Sequence, residues 1–458
     1  MYRIVSFPAS PRCFRKSLQL AALDELLPDR EIEALCRRQG HAWRNRLLPP
    51  GPTVRSMVYR GLNPDHSIAA VLADLAGLLG ADGSAPTDSA WCQARDRLPE
   101  AALIELILRE GFRCRRRFGR AHRWHHRTVY IVDGSSVSMP DEPSLVEAFG
   151  HTNTRHGRSR FPVARITFIE LAGLELIWNY RLDEYTCDED RQLHDMWHAL
   201  PIGCICLMDR KFCSFYNLAK LRQRRIDAVC PLHQRRDPQR LIAQGHCIGR
   251  DEWIVPLDLS PQLRPRYDDP SLPKVLWARL IRVCFWRGTH RHTLWLVTTL
   301  MDPVKYPSQE IAQFYRTRWG VETRIGSLKT TLEMNVLRSK SPNAVRREVA
   351  AIILGHNLVW RCIHEAAEQT GQPSGDISFA GAVKTVLAFS RAMLQTPRKL
   401  RCQLRNKMLL HIAHQRNHHP FDRVEPRLIK RELVRFAYLR EPRWKAREKC
   451  LSYCSSHR

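Results

Sequence analysis

Tyr315, Arg318, Glu322 and Lys329 fall within the fifteen-residue segment Tyr315–Lys329. At about 100° per helical residue their directions lie within an arc of roughly 60°. A helix through them gathers a carboxylate, a phenol, a guanidinium and an ammonium on one face. That grouping suits a metal-binding acid flanked by phosphate contacts, since Arg binds phosphate at two points and Lys acts as a point charge. A hard cation needs more oxygen ligands than this helix supplies. Two further carboxylates lie upstream, each after a short apolar run: Asp133 after Val129-Tyr-Ile-Val132, and Asp209 after Ile205-Cys-Leu-Met208.

Three carboxylates drawn from distant parts of a chain can hold two divalent cations. Magnesium prefers oxygen and keeps several waters, so few protein ligands are required. Two ions about 4 Å apart activate an attacking oxygen and stabilise a leaving one in an in-line phosphodiester displacement. Each residue alone has a plainer reading. Asp before Gly commonly forms a turn, Glu322 on an amphipathic helix is a solvated charge, and Arg318 with Glu322 is a surface pair. Order and context favour the joint reading. Other acids compete weakly. Asp141 follows Met-Pro in a loop; Asp188, Glu189 and Asp190 suit a helix N-terminus; Glu333 lies about 16 Å along the helix axis from Glu322.

The Tyr-(2)-Arg-(3)-Glu-(6)-Lys spacing resembles the signature of the insertion-sequence-4 family of bacterial DDE transposases. Val129–Asp141 is similar to that family's first-aspartate segment, and Ile205-Cys-Leu-Met-Asp209-Arg-Lys-Phe212 to its second. The likeness spans roughly Tyr130 to Asn357. Glu425-Pro-Arg-Leu-Ile-Lys-Arg431 and Leu439-Arg-Glu-Pro-Arg443 resemble the family's C-terminal basic segments. The resemblance implies that Asp133, Asp209 and Glu322 are catalytic and ligate two Mg²⁺ ions, with Mn²⁺ able to substitute. Asp133 would bridge the pair, and Asp209 and Glu322 would each hold one. Tyr315, Arg318 and Lys329 would contact DNA, with Arg210, beside Asp209, as a further contact. The implied partner is double-stranded DNA, both element ends and target, bound by a homodimer. The implied reaction is strand cleavage at terminal inverted repeats and strand transfer through a hairpin intermediate. Two positions depart from the family pattern: Lys211 stands where glycine is common, and Ser135 where threonine is usual. Lys211 leaves open a catalytically inactive or domesticated DNA-binding relative. A related nuclease or resolvase without strand transfer, and a basic structural nucleic-acid-binding protein, are the other rivals.

Composition bounds the answer independently. The 458 residues allow one large core or two to four domains. A 44% hydrophobic content belongs to a folded chain. The formal charge of +27 points to a polyanionic partner, nucleic acid first, over a ribosome-associated or membrane-surface role. No apolar run reaches the roughly 18 residues of a spanning helix, and no apolar signal segment opens the chain. The expectation is a cytoplasmic, nucleoid-associated bacterial protein with no membrane partner. The 15 cysteines include no Cys-x-x-Cys and read as reduced. His411, His414, His418 and His419, with Cys402, Cys450 and Cys454, are better read as part of a basic, nucleic-acid-facing tail than as a zinc site.

The expected fold class is α/β, a ribonuclease-H-like catalytic core with a β-rich insertion, flanked by helical N- and C-terminal domains. Residues 1–120 read as a helical DNA-binding domain, 121–369 as the catalytic domain with its insertion at about 233–305, and 370–458 as a basic helical region. In the first, helices are expected at Ile68–Leu79 after Asp65, at Trp91–Leu98 after Thr87 or Asp88, and from Pro99 onward. Its basic end, Arg113 to Arg127, suits a DNA groove or a solvated cap on the next domain. Strands are expected at Thr128–Val132, Val163–Glu170, Leu174–Leu182, Ile202–Met208 and Ile226–Leu232, with helices at Asp188–Leu200 and Tyr216–Arg225. Asp133 and Asp209 would each end a strand. The insertion holds alternating runs at Glu252–Leu257, Leu276–Phe285 and His292–Thr298, and four tryptophans, Trp253, Trp277, Trp286 and Trp295. In the family an insertion tryptophan stacks on a flipped base; the sequence does not distinguish among these four. Helical pattern runs on from Lys329 to about Ala367 with a break at Ser341-Pro342, and Thr370–Ser374 reads as a linker.

Overall fold

A computed structural model describes residues 26–44, 48–63, 67–77, 86–154, 157–259, 269–287, 290–417 and 441–456. Asp65, His418, His419, Glu425–Arg431 and Leu439-Arg440 therefore lie outside the described residues, as do several side chains within them, Trp286, Trp319 and residues 321–324 included. Backbone contacts divide the chain into two units. One comprises Met1–Leu106, Val137–Ala164 and Thr331–Arg458, the other Ile107–Ser136 and Arg165–Thr330.

The helices before the first strand are α1 (Asp29–Arg38), α2 (Pro50–Leu62), α3 (Ile68–Gly77), α4 (Asp88–Arg97) and α5 (Glu100–Phe118). Ser67 caps α3 by accepting from the Ala70 amide at 3.2 Å, and Thr87 caps α4 by accepting from Ala90 at 3.2 Å. After α6 (Pro143–Phe149) the helices are α7 (Glu189–Met196), α8 (Phe215–Gln223), α9 (Pro238–Gln244), α10 (Ser308–Arg316), α11 (Trp319–Thr330), α12 (Pro342–Thr370), α13 (Phe379–Gln395), α14 (Arg398–His414) and α15 (Arg443–Ser456).

In the first unit, α12 is the spine. Ser341 caps it, Pro342 occupies its first turn, and Gly371 ends it in the left-handed region at φ +69°. Its middle, Val349–Trp360, is buried throughout. Helix α2 crosses it closely because Gly61 carries no side chain: a Cβ there would lie 3.2 Å from the Ile352 Cα. The sequence pattern suggested helix from Lys329 to Ser341, but residues 331–341 are irregular. Glu333 takes φ +49°, and the Ser138 amide donates to the Asn335 carbonyl at 2.9 Å.

The second unit is built on one sheet. Its strands are β1 (Val129–Ser138), β4 (Val163–Leu171), β5 (Leu176–Glu184), β6 (Ile205–Met208), β7 (Asp227–Pro231), β8 (His246–Gly249), β9 (Glu252–Asp258), β10 (Val275–Arg287) and β11 (His290–Thr298); β2 (Asn153–Thr154) and β3 (Gly157–Arg158) belong to the first unit and pair with each other, two residues each. The order is β5-β4-β1-β6-β7-β11-β10-β9-β8. Strands β1, β6 and β7 run parallel, and β7 then pairs antiparallel with β11. Every residue of β6 and β7 is buried, which explains why these strands read as continuous apolar runs rather than alternating ones. The alternating runs at 252–298 form no separate sheet; they extend the central one through the β11–β7 pairing.

Candidate active site

Register places the two aspartates side by side. In the parallel pair of β1 and β6, the last Cα partners are Val132 and Met208. Asp133 and Asp209 are the next residues, at the carboxyl end of adjacent strands, where open α/β sheets commonly bind ligands. Asp209 ends its strand as expected and leads into a 3-10 turn, Arg210–Phe212. Asp133 does not end its own. Strand β1 outruns its four-residue partner and continues to Ser138, so Asp133 sits where pairing with β6 stops. Its Oδ1 accepts from the Gly134 amide at 2.9 Å.

Arg318 joins the two carboxylates. Its Nη1 lies 3.6 Å from Asp133 Oδ2, and its Nη2 lies 3.9 Å from Asp209 Oδ1. Its Nε donates to Tyr315 Oη at 3.0 Å, and that hydroxyl donates to the Met208 carbonyl at 3.3 Å. Arg318 is 5% exposed and Tyr315 2%. Burial pushes the Tyr315 phenol above its ordinary range, so it remains a neutral donor. Burial alone would lower the Arg318 pKa, but the neighbouring Tyr315, Asp209 and Asp133 outweigh it and raise the pKa.

Tyr315 and Arg318 do not lie on one continuous helix with Glu322. Helix α10 ends at Arg316 and α11 begins at Trp319. The Thr317 hydroxyl bonds back to the Phe314 carbonyl at 2.7 Å, and the amides of Thr317, Arg318 and Gly320 each bond three residues back. Such side-chain back-bonding competes with the helical ladder and tightens the turn. Tyr315 and Arg318 still meet across it. The backbone of Glu322 lies in α11; its side chain lies outside the described residues. Lys329 is in the last turn of α11, half-buried, and burial lowers its pKa.

A short clamp fixes these elements. His125 and His126 both adopt positive φ, 44° and 62°, in a turn closed by the Trp124–Arg127 bridge. The Trp124 ring stacks on Phe314 of α10 at 4.2 Å and 2°, and on Tyr306 at 5.6 Å. Arg127 donates to the Gly203 and Cys204 carbonyls at 2.8 and 3.0 Å, beside the start of β6, and pairs with Asp227 of β7 at 2.7 Å. One hairpin thus braces β1, β6, β7 and α10.

A further carboxylate packs against Gly134, the residue after Asp133. Asp188 and Glu189 begin α7 as their charge suggested, Asp188 capping it through the Asp190 amide. Yet Glu189 also packs on Gly134: a Cβ there would lie 2.6 Å from Glu189 Cδ. Glu189 pairs with Arg165 of β4 at 2.6 Å and with Lys211 at 3.4 Å, and Lys211 also pairs with Asp188 at 3.4 Å. Lys211 is thereby drawn toward α7. The sequence clue to Glu189 was the glycine after Asp133, which reads equally well as a turn former.

Arg210 is exposed and lines a cleft of about 140 Å³ with His233, Gln234, Arg236, Thr293 and Trp295. Burial, and then Arg235, Arg236 and Arg210, lower the His233 pKa, so it is neutral in the cleft at neutral pH. Of the insertion tryptophans, Trp295 lines this cleft, Trp253 lies 5.8 Å from it ring to ring, and Trp277 is exposed. Arg282 sits 6.0 Å above the Trp295 ring.

The described donors suit a hard cation, being carboxylate oxygens alone. No group of three potential ligands forms among the described residues, where the Glu322 carboxylate is not included. No described helix is long and apolar enough to cross a membrane.

The register thus sets Asp133 and Asp209 about the buried Arg318. Residues 124–358 match the Transposase DDE domain model, and the chain belongs to that family. Within it, the likeness is to the insertion-sequence-4 transposases. Over 350 residues, 75% of this chain and 76% of the relative, it is 24% identical to Transposase InsG for insertion sequence element IS4 of Escherichia coli (strain K12). A solved piggyBac transposase synaptic complex with hairpin DNA is similar over 92% of this chain and 88% of its own, at 11% identity and a TM-score of 0.39. DDE transposase domains use divalent metal ions and act on DNA.

Proposed function

We propose that this transposase binds the terminal inverted repeats of its element as a homodimer, cleaves them with two Mg²⁺ ions and joins the freed 3′-hydroxyl to target DNA, passing through a hairpin on the element end. The observation that carries the reading is the register pairing that sets Asp133 and Asp209 together about Arg318. The parallel β1-β6-β7 centre, flanked by β4 and β5, supports a ribonuclease-H-like core. Asp133, Asp209 and Glu322 would hold the ions, which supply Lewis acidity to the attacking and leaving oxygens.

The chain's own residues have distinct parts. Arg318 balances and orients the aspartates, and Tyr315 holds Arg318. Lys329 and Arg210 present cations to DNA phosphates flanking the cut. Trp295, with Arg210 and Arg236 in the same cleft, is favoured among the insertion tryptophans for stacking an unpaired base. The inactive-relative reading rested on Lys211. Its pairing with Asp188 and Glu189 argues against a lysine that fills the site.

The test is cleavage, with Mg²⁺, of a duplex bearing the repeats that flank the gene, comparing wild type with Glu322→Ala. Cutting at the repeat boundary by the wild type alone supports the reading. Binding without cutting by both would favour an inactive relative, and equal cutting by both would remove Glu322 from the site.

A further inference from the structure

We propose that Glu189 is a positioning residue for the aspartate pair, and that its charge, set against Arg165 and Lys211, tunes the affinity of the site for divalent cations. The inference rests on the reading of Asp133 and Asp209 as metal ligands.

Three observations converge on Glu189. Its carboxylate lies on the Gly134 backbone so closely that any side chain there would displace it. Gly134 is also the residue whose amide holds Asp133 Oδ1. Arg165 grips Glu189 at 2.6 Å from β4, the sheet neighbour of β1, and Lys211 approaches at 3.4 Å from the turn that follows Asp209. Glu189 therefore ties the segment carrying one aspartate to the segment carrying the other. A change at Glu189 is felt by both ligands through their backbone, without contact between Glu189 and the ion.

Charge gives the second part. Asp188 and Glu189 contribute two negative charges, and Arg165 and Lys211 two positive ones, so the cluster packed on Gly134 is neutral as paired. Glu189→Gln leaves a surplus positive charge on the segments that carry the two aspartates, which opposes a cation. Lys211→Gln leaves the opposite surplus. The two substitutions together restore neutrality. Partners that orient ligands from outside the coordination sphere typically change metal affinity by 10–100-fold.

The test is Mn²⁺ binding to the full-length protein, followed by electron paramagnetic resonance of the free ion, with Asp133→Asn defining the site and thermal unfolding confirming the fold of each variant. Glu189→Gln should weaken the site about tenfold, Lys211→Gln should tighten it, and Glu189→Gln/Lys211→Gln should return most of the loss. A folded Glu189→Gln variant with unchanged binding would overturn the proposal. So would a loss that Lys211→Gln fails to reverse, because a merely steric role does not respond to removal of the balancing charge. If the wild type lacks an Mn²⁺ site sensitive to Asp133→Asn, the reading of the site fails and this inference with it. A site sensitive to Asp133→Asn but indifferent to Glu189→Gln would sink only the inference.

Discussion

Tyr315→Phe removes one oxygen and leaves the ring in place. That oxygen serves two buried groups: it donates to the Met208 carbonyl at 3.3 Å and accepts from Arg318 Nε at 3.0 Å. Neither group has ready access to water, since Met208 is 0% and Arg318 5% exposed. A neutral hydrogen bond contributes about 1 kcal/mol and one to a charged group about 1.5–3 kcal/mol. The expected loss is therefore about 3 kcal/mol, or a fall in Tm of about 6–12 °C for a unit of this size. The linked effect of pH has a definite sign. Burial raises the phenol pKa above its ordinary 10.0, so its contribution is complete below that value and is lost as pH rises above it. The stability gap between wild type and Tyr315→Phe should narrow in alkali. Cleavage should fall at least about tenfold, which needs only about 1.4 kcal/mol, while repeat binding stays nearly constant. Thermal unfolding across pH and cleavage of the repeat duplex measure both. A variant that melts and cuts like the wild type would refute the idea that Tyr315 holds Arg318 against the aspartates.

The insertion offers a test by paired substitution. Arg279 is fully buried, forms an ion pair with Glu252, and donates to the Tyr306 carbonyl at 2.7 Å. Arg279→Met should cost about 3–5 kcal/mol by leaving a buried carboxylate unpaired, and Arg279→Met/Glu252→Leu should recover most of it in urea unfolding. Equal losses in both would show that the carboxylate is not the cause. Trp124→Ala should cost about 2 kcal/mol through the lost stacks on Phe314 and Tyr306. An unchanged unfolding midpoint would show that the hairpin does not brace α10.

What could be read from the chain followed from local physics. Strands β6 and β7 were legible because buried parallel strands are continuous apolar runs. The cap Thr87 was legible because short hydroxyl side chains favour helix starts, whereas Ser341-Pro342 read only as a break. The pairing of Asp133 with Asp209 needed more than pattern, because the strand ends are offset and only the register aligns them. The break at Thr317-Arg318 was hidden, since helical periodicity is nearly unchanged by one tightened turn. Glu189 was read correctly as a helix start and incompletely as nothing else. Its second contact is with Gly134, more than fifty residues earlier, which only the tertiary fold supplies. The insertion tryptophans were indistinguishable for the same reason: strand parity gives a face, but not what that face meets.

The β11–β7 pairing has a consequence for how such a protein can change over evolutionary time. Leu296, Val297 and Thr298 hydrogen-bond along Pro231, Cys230 and Val229, and β7 is buried along its whole length. Excision of residues 233–305 would turn this interior strand into a bare apolar edge, a template for pairing with other chains. Lineages sharing this architecture should therefore tolerate lengthening and shortening at the far β8 margin, where strands are exposed, while retaining the hairpin that seals β7. The insertion's inner strand is less an appendage than the selvedge that keeps the catalytic sheet from fraying into aggregates.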